Sequence, residues 1–257
     1  MLRKEYFNRV KGQLGKFTPI SLGEMDQVKL MDRTDRKYTL SFDKLGPLLE
    51  ALYDQYKVLT IDNHRVFSYQ TDYFDTPGMD MFFDHHNGKL NRFKIRRREY
   101  VESNLNFLEV KFKSNKGRVI KERIRFAADD QPSFSGFVTS HTPYNPGVLN
   151  KTVTNNFNRF TMVDNHLRER VTVDFNLAFT NYRQHLFING LVIVEVKQNR
   201  KDNSSEIFNV LKKNGIRPAS ISKYCVGVSL LNNTSKYNNF KKTILMINKL
   251  SHVELSA

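Results

Sequence analysis

The segment NRFKIRRREY, residues 91–100, sets Arg92, Lys94, Arg96 and Arg98 at alternate positions. In a β-strand successive side chains point to opposite faces, so these cations share one face. Like charges in a row repel each other. Such a face must be solvated, or it must line a space that holds a polyanion. Arg97 interrupts the alternation and by parity belongs to the opposite face.

Four other segments repeat the pattern. In FLEVKFK, Glu109, Lys111 and Lys113 oppose Leu108, Val110 and Phe112. In VIKERIRF, Lys121, Arg123 and Arg125 share a face. In LRERVTVDF, Arg168, Arg170, Thr172 and Asp174 oppose Val171, Val173 and Phe175. In LVIVEVKQ, Glu195 and Lys197 oppose Val192, Val194 and Val196. Any antiparallel sheet alternates polar and apolar faces. Here, however, the polar faces are mainly Lys and Arg. Three arrangements accommodate that: a barrel with a wet cationic tunnel, a nucleic-acid-binding sheet, or plainly solvated faces. Enclosing so many cations requires a matching polyanion or water. The few carboxylates cannot bind phosphate directly, but they suit a hard divalent cation that bridges to phosphate oxygens.

The chain is 257 residues long with a formal charge of +15, which favours an anionic partner. Its 20 Phe and 11 Tyr supply a sizeable core. The single cysteine, Cys225, excludes an intramolecular disulfide; it suits a reducing compartment and, in an apolar run, a core position. No apolar run approaches the ~18 residues of a membrane span. The basic start lacks the apolar stretch of a secretory signal, so a cytoplasmic protein is expected.

The spacing predicts a helix with Tyr6, Phe7, Val10 and Leu14 on one stripe, and a second running from Leu45 to Tyr56 with Ser41 as cap. A strand ends near Asp75, and Thr76-Pro77 starts a short helix. Asp84–Lys89 reads as a turn with solvated His85 and His86. FLEVKFK and VIKERIRF form a hairpin, and residues 127–165 hold a short helix. Further strands cover Phe157–Met162, Leu167–Phe175 and Phe179–Phe187, with a turn at Asn176, before LVIVEVKQ. A helix follows, capped by Ser204 or Ser205 and stopped at Gly215. The last helix is amphipathic and basic, with Lys236, Lys241, Lys242 and Lys249; it suits docking on the domain, or a membrane surface or partner subunit.

RTDRKY, YFDT, the basic strand ending in Tyr100, FLEVKFK…GRVIKERI, LVIVEVKQ and SKY occur in an order that resembles VTC-domain (vacuolar transporter chaperone) polyphosphate polymerases. These are triphosphate tunnel metalloenzymes of the CYTH-like superfamily. The resemblance covers roughly residues 30–230. It implies an α+β fold, an eight-stranded antiparallel β-barrel tunnel with helices packed outside. It divides the chain into an N-terminal helical segment (1–30), the tunnel domain (31–232) and a C-terminal amphipathic helix (233–257). The implied activity is transfer of the ATP γ-phosphate to a growing polyphosphate chain with Mn²⁺ or Mg²⁺; nucleic acid is disfavoured as a partner. Two alternatives stay open: a metal-dependent triphosphatase, and a module that binds polyphosphate or nucleic acid without turnover. By resemblance Lys37, Arg96, Arg98, Lys111, Lys121, Arg159, Arg170 and Lys223 contact phosphate. Lys94, Tyr100, Phe157, Lys197 and Ser222 support substrate, with Phe157 in place of a tyrosine that packs on adenine. Glu195 is the implied metal ligand, with Glu109 as a second candidate. Two departures stand out. The superfamily's opening E-x-E-x-K register holds Arg33, Asp35 and Lys37, so its first acidic ligand is missing. Ser220 replaces a lysine of the eukaryotic polymerases, and Arg217 is a candidate substitute.

Overall fold

The computed structural model describes residues 2–28, 33–127, 130–199, 205–231 and 238–256; the side chains of Arg33 and Ser256 are excluded. Ser204 and Lys236 lie outside the described residues. The elements, numbered in chain order, are α1 (Leu2–Leu14), β1 (Thr18–Ile20), α2 (Leu22–Met25), β2 (Arg33–Ser41), α3 (Leu45–Glu50), β3 (Tyr56–Leu59) and β4 (Phe67–Asp75). Next come α4 (Asp80–His86), β5 (Arg92–Tyr100), β6 (Leu105–Lys113), β7 (Val119–Arg125), α5 (Gln131–His141), β8 (Asn150–Asp164) and β9 (Glu169–Thr180). The chain closes with β10 (His185–Asn189), β11 (Leu191–Asn199), α6 (Glu206–Lys213), α7 (Lys223–Leu231), α8 (Lys241–Leu250) and β12 (His252–Ser256).

All the strands join one sheet, antiparallel except for the β1–β3 pair. The basic strands occupy a continuous order β2-β11-β9-β8-β4-β5-β6-β7. That order supplies the expected eight staves. The ladder that would close them, between β2 and β7, is absent among the described residues. The free edge of β2 pairs instead with the segment before α7: Tyr38 bridges to Pro218, and the Ala219 amide donates to the Lys37 carbonyl at 2.8 Å. The sheet is therefore open, but it curls. Lys37 on β2 acts electrostatically on Lys94 of β5 and Lys111 of β6, near the far end of the strand order.

Parity separates the two faces of the curl. On the convex side Val192, Val194 and Val196 of β11, Val171 and Val173 of β9 and Tyr38 and Leu40 of β2 pack with Val10 and Leu14 of α1, with α3 and with α6. Ile95 of β5 and Leu108 and Val110 of β6 pack beneath α5. Removing that apolar area from water contributes roughly 25 cal/mol per Å². On the concave side α7 lies across one end, with Tyr224, Cys225 and Val228 against Tyr73, Phe157, Phe179 and Ile193. Gly227 permits this approach. A Cβ there would sit 2.6 Å from Phe179 and 3.0 Å from Val153. Gly227→Ala should cost about 1–3 kcal/mol by overpacking, read as a lower urea midpoint with an unchanged slope.

Several elements depart from the sequence reading, each for a local reason. The second helix ends at Glu50, a turn follows, and Tyr56 enters β3, where its hydroxyl donates to Glu169. Ser41 makes no side-chain cap. The short helix begins at Asp80 rather than Thr76, because both Asp75 oxygens accept amides of its first turn, from Met81 at 3.0 Å and Phe82 at 2.9 Å. His85 and His86 lie in its last turn and are half-buried, not solvated. No turn breaks the chain at Asn176; it takes a left-handed φ of 54° inside β9, which runs on to Thr180. Gly215 (φ 67°) does follow the end of α6, but the chain does not turn back at Gly190 (φ 89°), because β10 and β11 run in the same direction along β9; Ser205 precedes α6 without a side-chain bond. The C-terminal helix docks through Ile247, with Lys241, Lys242 and Lys249 exposed, and β12 follows it onto β10. Among the described residues no helix is long and apolar enough to cross a membrane.

Candidate phosphate-handling site

β5 brings Lys94, Arg96 and Arg98 onto the concave face, and Arg97 turns to the other side. There Arg97 pairs with Asp72 of β4 at 2.7 Å. Arg96 donates from Nε to Glu109 of β6 at 2.7 Å, and Lys121 of β7 pairs with the same carboxylate. Glu109 is only 1% exposed. Burial opposes its charge, but Arg96, Arg98 and Lys121 outweigh that and hold its pKa well below the carboxylate range. Glu109 is therefore a buried counter-ion, and a metal could take it only by breaking both pairs. Among the described residues Arg98 has no such direct partner. It meets the Thr71 hydroxyl at 3.3 Å and lies over the Tyr69 ring. Burial, then repulsion from Arg96, pulls its pKa down.

A second centre forms where β8, β9 and α7 meet. Arg159 forks onto Asp174 with contacts of 2.5 and 2.8 Å, and Lys223 donates to the same carboxylate. Burial raises the pKa of Asp174, but Arg159 and Lys223 outweigh it and leave the group strongly acidic. Above this hub Tyr69 stacks on Phe157 with centroids 5.2 Å apart, and Lys223 sits over the Phe157 ring. Phe157 thus has Tyr69 stacked on it and the Lys223 ammonium over it, and is buried in the empty protein. Tyr100 extends the aromatic row, 5.0 Å from Tyr69.

The third centre lies on β2 and β11, where Lys37 and Glu195 are cross-strand partners. Glu195 lies 3.8 Å from Lys37 and 3.5 Å from Lys197. Burial opposes its charge, but Lys197, Lys37 and Arg159 bring its pKa down to about 2, so it is ionised. Lys111 faces this pair across the curl. Burial first, then Lys37 and Arg96, pull its pKa down to about 8. Burial likewise brings Lys121 to about 8 against the attraction of Glu109, and it draws Lys94 well below the lysine range.

The structure gathers most of the expected residues on one face. Arg170 is set apart at the rim, where its Nη2 donates to the Met25 carbonyl at 2.9 Å. Ser222 caps α7, accepting from the Cys225 amide at 3.4 Å. Arg217 is exposed and outside the cluster. Asp174 and Tyr69 were not singled out in the sequence. Asp174 lies on a polar strand face there, but only the β8–β9 register places it opposite Arg159.

Among the described residues no group of three or more His, Cys, Asp or Glu side chains is placed to hold a metal. A lone ionised carboxylate beside bound phosphate still suits Mg²⁺ or Mn²⁺, which keep waters and share phosphate oxygens. Of the two carboxylates Glu195 fits better, because its cations stand 3.5 and 3.8 Å away whereas Arg96 and Lys121 engage Glu109 directly.

No curated protein matches the chain by sequence. Among solved structures it is similar to a Vibrio parahaemolyticus protein described as a candidate adenylate cyclase (TM-score 0.46, 11% identity, covering 76% of this chain and 97% of that one). It is also similar to a Hippeastrum protein with a dominant triphosphatase activity (0.45, 15%, 77% and 96%) and to PH1819 of Pyrococcus horikoshii OT3 (0.44, 12%, 77% and 98%). The VTC domain model matches residues 32–232. A match over that much of its length places the chain in the VTC-domain family.

Proposed function

We propose that this chain is a polyphosphate polymerase, which transfers the γ-phosphate of ATP to a growing polyphosphate chain on its concave face. One observation carries the reading. Lys94, Arg98 and Lys111 are held in the curl against burial and mutual repulsion. An arrangement that is unfavourable when empty becomes favourable around a polyanion. Family membership favours a phosphate-handling enzyme in general, and the arginine forks favour phosphoryl groups.

The chemistry asks little of side chains as acids or bases. A terminal oxygen of the acceptor, already ionised, attacks the γ-phosphorus. The bond from that phosphorus to the β–γ bridging oxygen breaks, and ADP leaves with the electron pair. Arg96, Arg98 and Arg159 orient the phosphates, while Lys37, Lys111 and Lys121 offset their charge. A divalent cation shared by Glu195 and phosphate oxygens would supply further charge neutralisation. His85 is no base here: burial and the surrounding cations bring its pKa to about 4, and it contacts the Cys225 thiol at 3.1 Å.

Purified protein with ATP and Mn²⁺, its products resolved on a polyphosphate gel, tests the reading. A ladder supports a polymerase, ADP with orthophosphate supports a triphosphatase, and unchanged ATP supports a binding module. Glu195→Gln should lower turnover about 10²-fold or more, and full activity in that variant would refute the metal assignment.

Affinity for tripolyphosphate should fall as pH rises through about 8, where Lys111 and Lys121 lose their charge. Stability of the empty protein moves the other way. The unfolded chain, with lysines near 10.4, binds more protons in that window, so these groups add stability as pH rises. Tripolyphosphate titrations and urea midpoints at about pH 7 and about pH 9 check the opposed signs.

A further inference from the structure

We infer that the cavity beside the concave face, between β5, α4, α7 and the C-terminal segment, is a second anion site that receives a terminal phosphoryl group. The inference rests on the polymerase reading for the source of that group, and on the cavity itself for its chemistry. The cavity has a volume of about 290 Å³. That is near the lower end of the ~300–1,000 Å³ typical of ligand sites, a scale that suits a compact anion.

Its polar lining comes from separate elements: Arg92 of β5, Ser220 and Ser222 ahead of α7, and Asn239 and Thr243 of the C-terminal segment. None of the lining residues is a carboxylate. Arg92 spends Nη1 on the Lys89 carbonyl at 2.8 Å and has no ion-pair partner among the described residues. The start of α7 adds the partial positive charge of a helix N-terminus.

The cavity adjoins the phosphate face. The His85 ring in its wall lies in the field of Arg92, Lys94, Lys113 and Lys37, and Lys94 and Lys37 belong to that face. Cations from the two regions therefore act on one space. A chain end leaving Lys94 would meet Arg92 two residues along the same strand face.

The outer wall is the C-terminal segment, held by contacts that do not involve Arg92. The Asn239 side-chain amide donates to the His86 carbonyl at 2.7 Å, and Thr243 donates to the Ser220 carbonyl at 3.4 Å. Phe240 sets its ring edge-on to His85 and His86, with centroids 5.7 and 5.5 Å away. This gives the docked C-terminal segment a role in completing an anion site.

Calorimetric titration of the full chain with orthophosphate, tripolyphosphate and ATP in separate runs tests the assignment, on wild type, Arg92→Ala, Ser220→Asp and Arg98→Ala. Ser220 is exposed, so its substitution is compatible with folding, and melting curves check each variant. Arg92→Ala and Ser220→Asp should each weaken one tripolyphosphate binding event by about tenfold or more and keep ATP affinity within about twofold. Arg98→Ala should weaken ATP instead. A loss confined to tripolyphosphate identifies a chain end, and a parallel loss of orthophosphate identifies a site that also takes free phosphate. If both anions bind Arg92→Ala and Ser220→Asp as they bind wild type, the second site is overturned. If wild type binds no ATP yet shows anion binding that depends on Arg92, the polymerase reading fails and the second site stands.

Discussion

Arg98→Ala should lower turnover by about 10²–10³-fold and leave the melting temperature close to that of wild type. The two effects separate because Arg98 makes no direct ion pair with a carboxylate among the described residues. It gives up one long contact to Thr71, a ring contact with Tyr69 and a through-space attraction to Glu109, which keeps Arg96 and Lys121, while its removal relieves repulsion with Arg96 and Arg159. A guanidinium with no direct ion pair among the described residues is available to a polyanion. Arg96→Ala should damage turnover too, but it also strips the buried Glu109 of a partner, at a cost of about 3–5 kcal/mol. Arg97→Ala breaks the pair with Asp72 on the opposite face, so it should act on stability and spare turnover. Initial rates and melting curves for the three variants check this, and equal loss of turnover in Arg97→Ala would refute the division of faces.

A stability effect as large as that of Arg96→Ala is expected at Asp174. Asp174→Asn leaves Arg159 and Lys223 buried without their shared counter-ion and should cost about 3–5 kcal/mol in urea unfolding. The acid limb carries its own signature. The folded pKa of Asp174 lies below its unfolded value near 3.9, so its contribution is present above that value and is lost as pH falls toward the folded pKa. Urea midpoints between about pH 5 and about pH 2 should therefore fall less steeply in Asp174→Asn than in wild type. Matching slopes would mean that the carboxylate does not hold the hub together.

The faces were legible in the sequence because side-chain parity is a property of the strand itself. NRFKIRRREY places Arg96 and Arg98 on one side and Arg97 on the other before any partner strand is known. Pairings across strands were not legible. Arg159 meets Asp174 and Lys37 meets Glu195 only through register, which depends on strand order. Closure failed for a related reason: residues 218–219 occupy the edge of β2 that a closed barrel needs for β7. The helical spacing of Leu45–Tyr56 outlasts the helix because Leu52 and Tyr56 are buried by the turn and β3 that follow it. His85 and His86 read as solvated because their neighbours are turn-formers, whereas Asp75 caps α4 and the C-terminal segment covers its last turn.

The most direct test of the account is a structure of the protein with a non-hydrolysable triphosphate analogue and Mn²⁺. The account predicts phosphoryl groups on the concave face, within hydrogen-bond reach of Arg98 and Arg96 of β5, Lys111 of β6 and Lys37 of β2, with Glu195 at the metal. Phosphates bound instead on the convex face beside Arg97, or at Glu109 with its pairs to Arg96 and Lys121 broken, would contradict it.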